Sequence, residues 1–356
     1  MPSIKDKNGK WLSRFYFTNY QGEKIQKFKR GFKTKREALE FEREFLASSK
    51  FEITMSFESL CDLYFEDLSH RLRENTMITK KYIIKDKILP YFGKIEVGKI
   101  TPILIRKWQN KLMSKKNEKT NKVYSQTYIK TINNNLVAIL NYAVKYHSLQ
   151  ENPCHKAGSI GKKQAGEMNV WTVGEFEKFI KELEHKPISF LGFYILFWTG
   201  IRIGELLALT VGDINLDTRM IRVNKSYQRI NKKDVITEPK TPKGNRMIPI
   251  TAKLANVIEK YFSMMYNPKE EDRIIEGTKY RFEHDIKNYC IKSGVQKIRI
   301  HDLRHSHASV LINLGVSPLA IAKRLGHEKI ETTLNIYSHL YPEKEKNMID
   351  LLDSLN

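Results

Sequence analysis

Two short motifs in this chain place cations and hydrogen-bond donors where they could act on a phosphate group. HDLRHSHAS, residues 301 to 309, puts His301 and Arg304 three positions apart on one face of a helix start. Two donors that converge in this way suit the non-bridging oxygens of a phosphate. TGIRIGELLAL places Arg202 directly after Gly200, where a helix should end, so its side chain projects from a fixed turn. Taken singly, both motifs are also compatible with an ordinary surface turn.

A third motif, RLGHEKIETTLNIYSHL, supplies a candidate nucleophile, because Tyr337 follows His327 by ten residues in a polar stretch. The chain has 17 tyrosines, so a tyrosine alone would be read as a packing or surface residue. A lysine, Lys240, stands at the end of a strand-like run in EPKTPKG. Together the motifs hold cations, donors and one nucleophile, without a carboxylate cluster that would hold magnesium.

Two other kinds of site are less well supported. A metal site could use His301, His305 and His307 with Cys290, but spacings of four and two do not place all three histidines on one helix face. Neither HExxH nor CxxC occurs. A serine triad is weaker still, since there is no GxSxG elbow. The sequence therefore predicts no metal ligands.

Composition favours a nucleic-acid partner. The 356 residues include 62 Lys or Arg and 40 Asp or Glu, a formal charge of +22 that predicts an anionic partner. The longest apolar run, SFLGFYILFW, is shorter than the roughly 20 residues that span a bilayer, so it predicts a buried helix. The N-terminus shows no secretory signal, and three scattered cysteines suit reduced structural thiols. A cytoplasmic protein is expected.

The N-terminal segment predicts a basic strand-strand-helix module. Residues 1 to 36 carry eleven Lys or Arg and two acids. WLSRFYFTNYQGEKIQKFKRGF alternates as a hairpin would, and Thr34 to Glu37 forms a capping box for a helix to about Ala47. The DNA-binding candidates in this module, residues 1 to 50, are Lys24, Lys27, Lys29, Arg30 and Lys33.

The next hundred residues, 51 to 152, predict a helical domain with a basic loop. Asn133, Asn134 and Asn135 could meet phosphates or base edges, although a solvated face is equally compatible with any single polar residue. The main DNA-binding candidates here are Lys115, Lys116, Lys122, Thr127 and Lys130. Residues 153 to 170 lack periodicity and predict a linker.

A further domain is predicted over residues 171 to 340. A second capping box, Thr172 to Glu175, opens a helix, and RIGELLAL should form another. MIRVNKSYQRI, DVITEP and NRMIPI are strand-like, the last two joined by a turn through Pro242 to Asn245. Helices should return from about Ala252. The tail, 341 to 356, carries an apolar stripe that would pack on its own domain or on a neighbouring subunit.

In these motifs the chain resembles the tyrosine recombinase family, and within it the integrases of phages and conjugative transposons. TGIRIGELLAL, PKTPKGNRMIPI, HDLRHSHAS and RLGHEKIETTLNIYSHL occur in family order and spacing. The resemblance implies a multidomain fold, mainly α with small β-sheets: an arm-binding module, a helical core-binding (SAM-like) domain and a mixed α/β, mostly helical catalytic domain. It implies a site-specific recombinase that integrates or excises a mobile element through a Holliday junction.

The resemblance also implies a role for each motif residue. Tyr337 would attack the scissile phosphodiester, and the 3′-phosphotyrosyl link would conserve the bond energy, so that neither ATP nor metal is needed. Arg202 and Arg304 would clamp the non-bridging oxygens, where a planar guanidinium fits well. His301 would position or deprotonate the nucleophile. His327 would hydrogen-bond a phosphate oxygen.

The remaining assignments concern a proton donor and two carboxylates. Lys240 would protonate the departing 5′-oxygen, as an ordinary lysine is protonated at neutral pH, and Lys243 is its rival. Glu205 and Asp213 are expected to brace Arg202 and cap the helix rather than act on DNA.

The partners that the resemblance implies are double-stranded DNA at core and arm sites and further copies of this chain in a tetramer, with the tail docked in trans. An excisionase and a host DNA-bending protein would join them at the bacterial nucleoid, with no cofactor and no membrane. Two alternatives remain: a DNA-binding regulator of the same fold, which the full set of candidate residues argues against, and a type IB-like topoisomerase, which the basic N-terminal module argues against.

Overall fold

A computed structural model describes residues 3–5, 9–18, 24–49, 54–118, 120–163, 169–239, 241–337 and 353 of the chain. Its elements are mainly helices, with small antiparallel sheets, as the sequence predicts. The chain divides into two units, Met1–Gly166 and Glu167–Asn356. Lys240 and the tail, apart from Asp353, lie outside the described residues, so the predictions made for them stay predictions.

The N-terminal segment is a three-stranded antiparallel sheet with one helix: β1 (Ser3–Lys5), β2 (Trp11–Thr18), β3 (Lys24–Phe32) and α1 (Lys35–Ser49). The alternation in β2 buries Phe15, which contacts the rings of Phe41 and Phe45 on α1. Thr34 accepts a hydrogen bond from the Glu37 amide at 3.2 Å, so the predicted cap does begin the helix. The hairpin prediction omitted β1, because three residues are too few for alternation to be recognised.

The helical part of the first unit has six α-helices, a π-helical turn and a 3₁₀ turn between residues 54 and 163. They are α2 (Phe57–Ser69), α3 (Glu74–Ile83), the π-helix Ile84–Ile88, α4 (Leu89–Phe92), the 3₁₀ turn Val97–Lys99, α5 (Pro102–Ser114), α6 (Gln126–Tyr146) and α7 (Pro153–Ala157). Leu60, Phe92, Trp108 and Leu136 meet in their common core.

The segment predicted as a linker begins with α7. Asn152 caps this helix by accepting a hydrogen bond from the Cys154 amide, and the buried Cys154 and Ala157 pack in the helical core. The five-residue helix is shorter than two turns, so it has no periodicity that a sequence could reveal.

The second unit contains eight α-helices among its described residues: α8 (Val173–Lys181), α9 (Pro187–Thr199), α10 (Ile203–Leu206), α11 (Ala252–Phe262), α12 (Lys279–Ser293), α13 (Asp302–Asn313), α14 (Pro318–Leu325) and α15 (Ile330–Tyr337). Helix α9 is apolar on all sides and is surrounded by α8, α11, α12 and α13. None of the described helices is long and apolar enough to cross a bilayer.

The second unit also has two small antiparallel sheets. The strands are β4 (Ile214–Asn215), β5 (Met220–Val223), β6 (Ser226–Ile230), β7 (Lys233–Thr237) and β8 (Arg246–Pro249). β6 and β7 form a hairpin through Asn231 and Lys232, both at positive φ, whereas β8 pairs with β5. The predicted turn between the last two strand-like runs is therefore confirmed, but the two strands that it joins, β7 and β8, do not pair with each other, because β8 pairs with the more distant β5. The connection contains the 3₁₀ turn Pro242–Gly244.

The three cysteines, Cys61, Cys154 and Cys290, are free and buried, as predicted. Burial raises the pKa of each thiol, most for Cys61 and to about 12 for Cys154. Thiols held in the protonated form are poor nucleophiles, so these residues contribute packing rather than chemistry.

Candidate active site

Two helix-ending glycines set the positions of the candidate side chains. Gly200 ends α9 and Gly326 ends α14, and both have φ of 69°, a left-handed conformation that glycine adopts without strain. A Cβ on Gly200 would also lie 2.7 Å from side-chain atoms of His307 and Leu325. The chain therefore turns sharply just before Arg202 and just before His327, which confirms the expected helix end at Gly200.

Arg304 forms hydrogen bonds to both of these turns. Its side chain, 3% exposed, donates Nη1 to the Gly200 carbonyl at 2.8 Å and Nη2 to the Leu325 carbonyl at 2.6 Å. Burial and the neighbouring Arg202 lower the pKa of Arg304 to about 9, so the guanidinium remains charged at neutral pH. These two backbone carbonyls take two of its five N–H groups.

Arg202 lies close enough to Arg304 to affect its pKa and is braced by Glu205. The Arg202 guanidinium donates to Glu205 Oε1 at 2.8 Å, and its amide donates to Oε2 at 3.0 Å, while 42% of the side chain stays exposed. Arg246, at the start of β8, donates to the other side of Glu205 at 2.9 Å. Sequence reasoning missed Arg246, because its partner lies 41 residues away and only the β5–β8 pairing brings the two together.

Glu205 is the buried anion that holds both arginines. Burial alone would raise the pKa of Glu205, but Arg246 and then Arg202 outweigh it and keep the pKa below its ordinary value. A carboxylate with a lowered pKa stabilises the fold above its unfolded pKa, and this contribution disappears as pH falls through the folded pKa.

Glu205→Gln is therefore expected to destabilise the protein at neutral pH by about 3 to 5 kcal/mol, since it leaves the buried Arg246 without a counter-charge. Urea unfolding at several pH values measures this. The difference from wild type should shrink below about pH 4.5, where both forms approach a neutral side chain at this position. Glu177→Gln is the matched control, because Glu177 is exposed and 3.9 Å from Lys253. If Glu205→Gln and Glu177→Gln lowered the free energy of unfolding equally, the argument from the buried Glu205–Arg246 pair would be wrong.

Asp213 does not contact Arg202. It caps the 3₁₀ turn Val211–Asp213 through the Thr210 amide, 3.0 Å away, and forms ion pairs with Lys225 and Arg222. Capping and bracing of Arg202 were predicted for Glu205 and Asp213 together. In the structure Asp213 caps a 3₁₀ turn, and Glu205 braces Arg202. The carboxylate holds the β5–β6 connection to the turn after α10.

The Tyr337 hydroxyl lies 2.7 Å from Nδ1 of His305, and both residues are buried. The Tyr337 ring packs with apolar side chains of α13 and α14, among them Ile312, Ile321 and Leu325. Burial raises the pKa of Tyr337 to about 12, and Arg304 partly offsets this. Sequence reasoning considered His305 only as a metal ligand. The one available signal was its place in HDLRHSHAS, next to Arg304.

His327 is held from the same helix that carries the tyrosine. Its Nδ1 lies 2.8 Å from the hydroxyl of Thr333, which is buried one turn before Tyr337 on α15. Burial and the nearby arginines lower the pKa of His327 to about 3, so its ring is neutral at pH 7. The His305–Tyr337 and His327–Thr333 hydrogen bonds, one helical turn apart on α15, therefore hold α15 against α13 and against the turn after α14.

His301 lies on the solvent-exposed side of the candidate site. It precedes α13, is exposed, and its ring contacts His305 edge-on with centroids 5.0 Å apart. The exposed edge of the site is therefore formed by Arg202, His301 and His327, with Arg304 and Tyr337 beneath them. A phosphate approaching from solvent meets donors first and the nucleophile last.

The segment that contains Lys243 and Arg246 packs against the His327 turn. Lys243 donates Nζ to the Glu328 carbonyl at 2.7 Å, and Arg246 donates Nε to the Arg324 carbonyl at 2.8 Å. Lys243 thus lies beside the site, with its ammonium engaged by a backbone oxygen. Lys240 lies outside the described residues.

The basic residues of the N-terminal sheet are divided between its two faces. Lys27 and Lys29 lie on the α1 face, with their ammonium groups over the rings of Phe45 and Phe41. Lys24 and Arg30 lie on the opposite, open face by the alternation of β3, and Lys33 follows the strand and is exposed. The open face also carries Arg14, Tyr16 and Phe28, which sequence reasoning did not single out.

In the helical region the predicted residues remain on the surface, but two of the asparagines do not. Lys115, Lys116 and Lys122 are exposed, whereas Thr127 and Lys130 are half-buried and Lys130 donates to Ser159. Asn133 and Asn135 are buried and accept hydrogen bonds from Gln109 and Lys80, so they cannot meet DNA. Only Asn134 of that run is exposed, because α6 turns its neighbours inward.

Within the described ranges, no group of three or more His, Cys, Asp or Glu residues is placed to hold a metal ion. His307, one of the histidines considered as a ligand, accepts a hydrogen bond from Arg324 at 2.9 Å. It lies against Gly200 and on a different side of α13 from His305.

Three family models match successive parts of the chain. They are an arm DNA-binding domain at residues 3–49, the N-terminal SAM-like domain of phage integrases at 56–113, and the phage integrase family at 172–344. The ICEBs1 integrase of Bacillus subtilis is 33% identical over 341 residues, covering 90% of each chain.

Solved structures share the fold at lower identity. An integrase of the Tn1549 transposon, in complex with transposon right end DNA, superposes with a TM-score of 0.69 at 21% identity, covering 84% of this chain and all of that one. A lambda integrase in a tetramer bound to a Holliday junction gives 0.56 at 16% identity, covering 93% and 94%. The family models, the Bacillus relative and the site geometry agree: this chain belongs to the phage integrase family of tyrosine recombinases, enzymes that catalyse DNA strand exchange.

Proposed function

We propose that the chain integrates and excises a mobile element by cleaving and rejoining DNA through a 3′-phosphotyrosyl intermediate at Tyr337. The observation that supports this most strongly is that Arg202, Arg304, His327 and Tyr337, which lie at the ends of four different helices, are brought close enough together to interact electrostatically. Hydrogen-bond donors and cations grouped in this way suit phosphoryl transfer in which protein side chains stabilise the charge of the transition state.

In the first step, the Tyr337 oxygen attacks phosphorus and the P–O5′ bond breaks. The exposed Arg202 guanidinium and the unused N–H groups of Arg304 would hold the two non-bridging oxygens, while Nε2 of His327 faces the same group. Lys240 would protonate the departing 5′-oxygen. Lys243, whose ammonium already contacts the Glu328 carbonyl, is better suited to holding the turn.

Attack requires a local movement. Tyr337 is fully buried, so a phosphate reaches its hydroxyl only after α15 or the rim residues shift. The hydrogen bond between His327 and Thr333 is a contact that such a shift must break or redirect. The covered nucleophile protects against unproductive cleavage before DNA is correctly bound.

The family matches support a separate role for each part of the chain. We assign residues 1–50 to arm sites, 51–152 to core sites, 153–170 to a connection, 171–340 to catalysis and 341–356 to exchange between subunits. The lambda integrase tetramer on a Holliday junction supports a tetrameric complex for this chain as well. An excisionase and a host DNA-bending protein would set the direction, and the complex would act on the bacterial nucleoid.

The reaction itself is tested with a nicked suicide substrate that carries the element's attachment site. Incubation should give a covalent protein–DNA band that survives SDS, because release of the short 5′-hydroxyl strand prevents religation. A purified, folded protein that binds this DNA without forming the band would contradict the proposal and favour a regulator.

The open face of the N-terminal sheet is proposed to enter a DNA groove. Arg30 stacks over Phe28 at 4.7 Å, and Arg14 and Tyr16 are exposed on the neighbouring strand. Cations interleaved with exposed aromatic rings suit phosphate and base contacts, whereas Lys27 and Lys29 are engaged with α1.

Replacing Arg14 and Arg30 with alanine should weaken arm-site binding and reduce the steepness of its salt dependence by about 0.9 for each phosphate that the protein no longer neutralises. A titration of arm-site DNA at several salt concentrations measures the slope. The matched double variant, Lys27→Ala with Lys29→Ala, removes the same charge from the α1 face and should change the slope less. If the two pairs behaved alike, net charge rather than the open face would determine binding. Deleting residues 1 to 50 should flatten the dependence further.

A further inference from the structure

A buried histidine touches the nucleophile and takes no part in the phosphate contacts. His305 Nδ1 lies 2.7 Å from the Tyr337 hydroxyl, and the two rings meet nearly edge-on with centroids 5.6 Å apart. His305 is only 8% exposed and is fixed on α13, one residue after Arg304. In the tautomer with the proton on Nε2, Nδ1 accepts the hydrogen bond that the tyrosine donates.

We propose that His305 is the group that accepts the phenolic proton of Tyr337 during strand cleavage and returns it during religation. This inference rests on the proposed function, in which Tyr337 is the nucleophile. It gives His305, rather than His301, the contact with the reacting oxygen.

Cleavage moves two protons and exchanges one bond to phosphorus for another. The Tyr337 O–H bond breaks, its proton moves to His305 Nδ1, and the oxygen forms a bond to phosphorus. The P–O5′ bond breaks, and the 5′-oxygen takes a proton from Lys240. Religation runs in reverse: the 5′-hydroxyl attacks, the phosphotyrosyl bond breaks, and His305 returns the proton. No oxidant, metal or nucleotide is consumed.

The surroundings keep His305 able to accept a proton. Burial, followed by the neighbouring His301, lowers the pKa of His305 to about 4. The titratable or charged groups that face it are His301, Asp302 and Arg304 at the start of α13, Arg299 just before it, Tyr337 from α15 and His327 from the turn after α14. The ring is thus neutral throughout the range in which such enzymes are assayed.

A weak base suffices at this position. The Tyr337 pKa of about 12 describes the resting hydroxyl. Once its oxygen begins to bond to phosphorus, the phenolic proton becomes strongly acidic, so transfer to an adjacent neutral imidazole becomes downhill during the attack. The arriving phosphate also carries negative charge, which raises the affinity of the imidazole for a proton.

The position of His301 is consistent with a different task. It is exposed and touches His305 edge-on from the solvent side, with Arg202 and Arg304 as its charged neighbours. A side chain on this rim meets the DNA phosphate, whereas His305 lies beneath it against the tyrosine. The two histidines would then divide phosphate contact and proton transfer between them.

The test compares His305→Ala with His305→Asn in single-turnover cleavage of the suicide substrate from about pH 6 to about pH 9. Asparagine retains a hydrogen-bond acceptor near Nδ1 but cannot take the proton. Both variants are expected to be slower than wild type by about 10²- to 10⁴-fold at neutral pH. Their rates should then rise with pH as hydroxide takes over the proton, while the wild-type rate changes little.

A substrate with sulfur in place of the bridging 5′-oxygen separates the two proton transfers. A thiolate leaves without protonation, so Lys240→Ala should recover on this substrate, while the His305 variants should stay slow. The matched control is His185→Asn, because His185 makes a similar contact with Tyr289, at 3.0 Å, away from the site. It should cleave at the wild-type rate.

Two outcomes would overturn the inference. One is His305→Asn cleaving within about threefold of wild type, since a hydrogen bond without proton transfer would then be enough. The other is a slow variant whose pH profile runs parallel to wild type, which marks a purely structural role. Thermal unfolding and DNA binding of each variant identify misfolding. Failure of the proposed function is distinct, because then either the wild-type protein forms no covalent complex or Tyr337→Phe still forms one.

Discussion

Tyr337→Phe is expected to abolish the covalent protein–DNA complex while leaving folding and DNA binding nearly unchanged. Phenylalanine has no oxygen to attack phosphorus, and removal of a nucleophile typically slows such a reaction by roughly 10⁴-fold or more. The ring still fills its place among Ile312, Ile321 and Leu325. The variant lacks one hydrogen bond, to His305, worth about 1 kcal/mol. Suicide-substrate cleavage, gel-shift binding and thermal unfolding measure the three quantities.

Tyr280→Phe serves as the control, because Tyr280 is 72% exposed on α12 and should tolerate the removal of its hydroxyl. A persistent SDS-resistant band with Tyr337→Phe would show that another residue is the nucleophile. Absence of both the band and DNA binding would show that the hydroxyl serves the fold. Cleavage by the wild-type protein, together with binding but no cleavage by Tyr337→Phe, would distinguish a catalytic tyrosine from the DNA-binding regulator of the same fold.

The local features of the fold could be predicted from the sequence because neighbouring residues determine them. The caps at Thr34 and Thr172 depend on a residue three positions away: Thr172 and Glu175 form the full capping box, and the Thr34 hydroxyl accepts from the Glu37 amide while the Glu37 carboxylate accepts from the Lys33 amide. Gly200 ends α9 because the left-handed turn suits glycine, and the apolar run before it forms the central buried helix. The position of Arg202 after this turn follows directly.

Contacts that depend on packing were not predictable in the same way. Which histidine of HDLRHSHAS touches Tyr337 depends on how α15 docks against α13, and the spacing alone does not distinguish His301 from His305. Likewise, Arg246 reaches Glu205 only because β8 pairs with β5. The lysines of β3 could not be assigned to a face before the side covered by α1 was known.

Arg304→Lys is expected to reduce cleavage by about 10²- to 10³-fold, more than any decrease in DNA affinity. A single ammonium cannot donate to the Gly200 and Leu325 carbonyls and also hold a phosphate oxygen, as the planar guanidinium can. A lysine buried at this point, beside Arg202, would also tend to lose its proton. Leaving one of the two carbonyls without a donor should lower the free energy of unfolding by about 1 to 3 kcal/mol.

Single-turnover cleavage at saturating protein separates these effects, because binding no longer limits the rate. Arg281→Lys is the control: Arg281 is exposed on α12, and its replacement should change neither quantity. A decrease in cleavage that matched the decrease in affinity would make Arg304 a DNA-binding residue rather than one that stabilises the transition state. If cleavage by Arg304→Lys recovered at a lower temperature, at which the variant is folded, the loss of cleavage would come from unfolding around the two helix ends that Arg304 joins.

Because Arg304 touches both turns, its replacement should also misplace Arg202 and His327. The double variant Arg304→Lys with Arg202→Lys should therefore lose less activity than the sum of the two single effects.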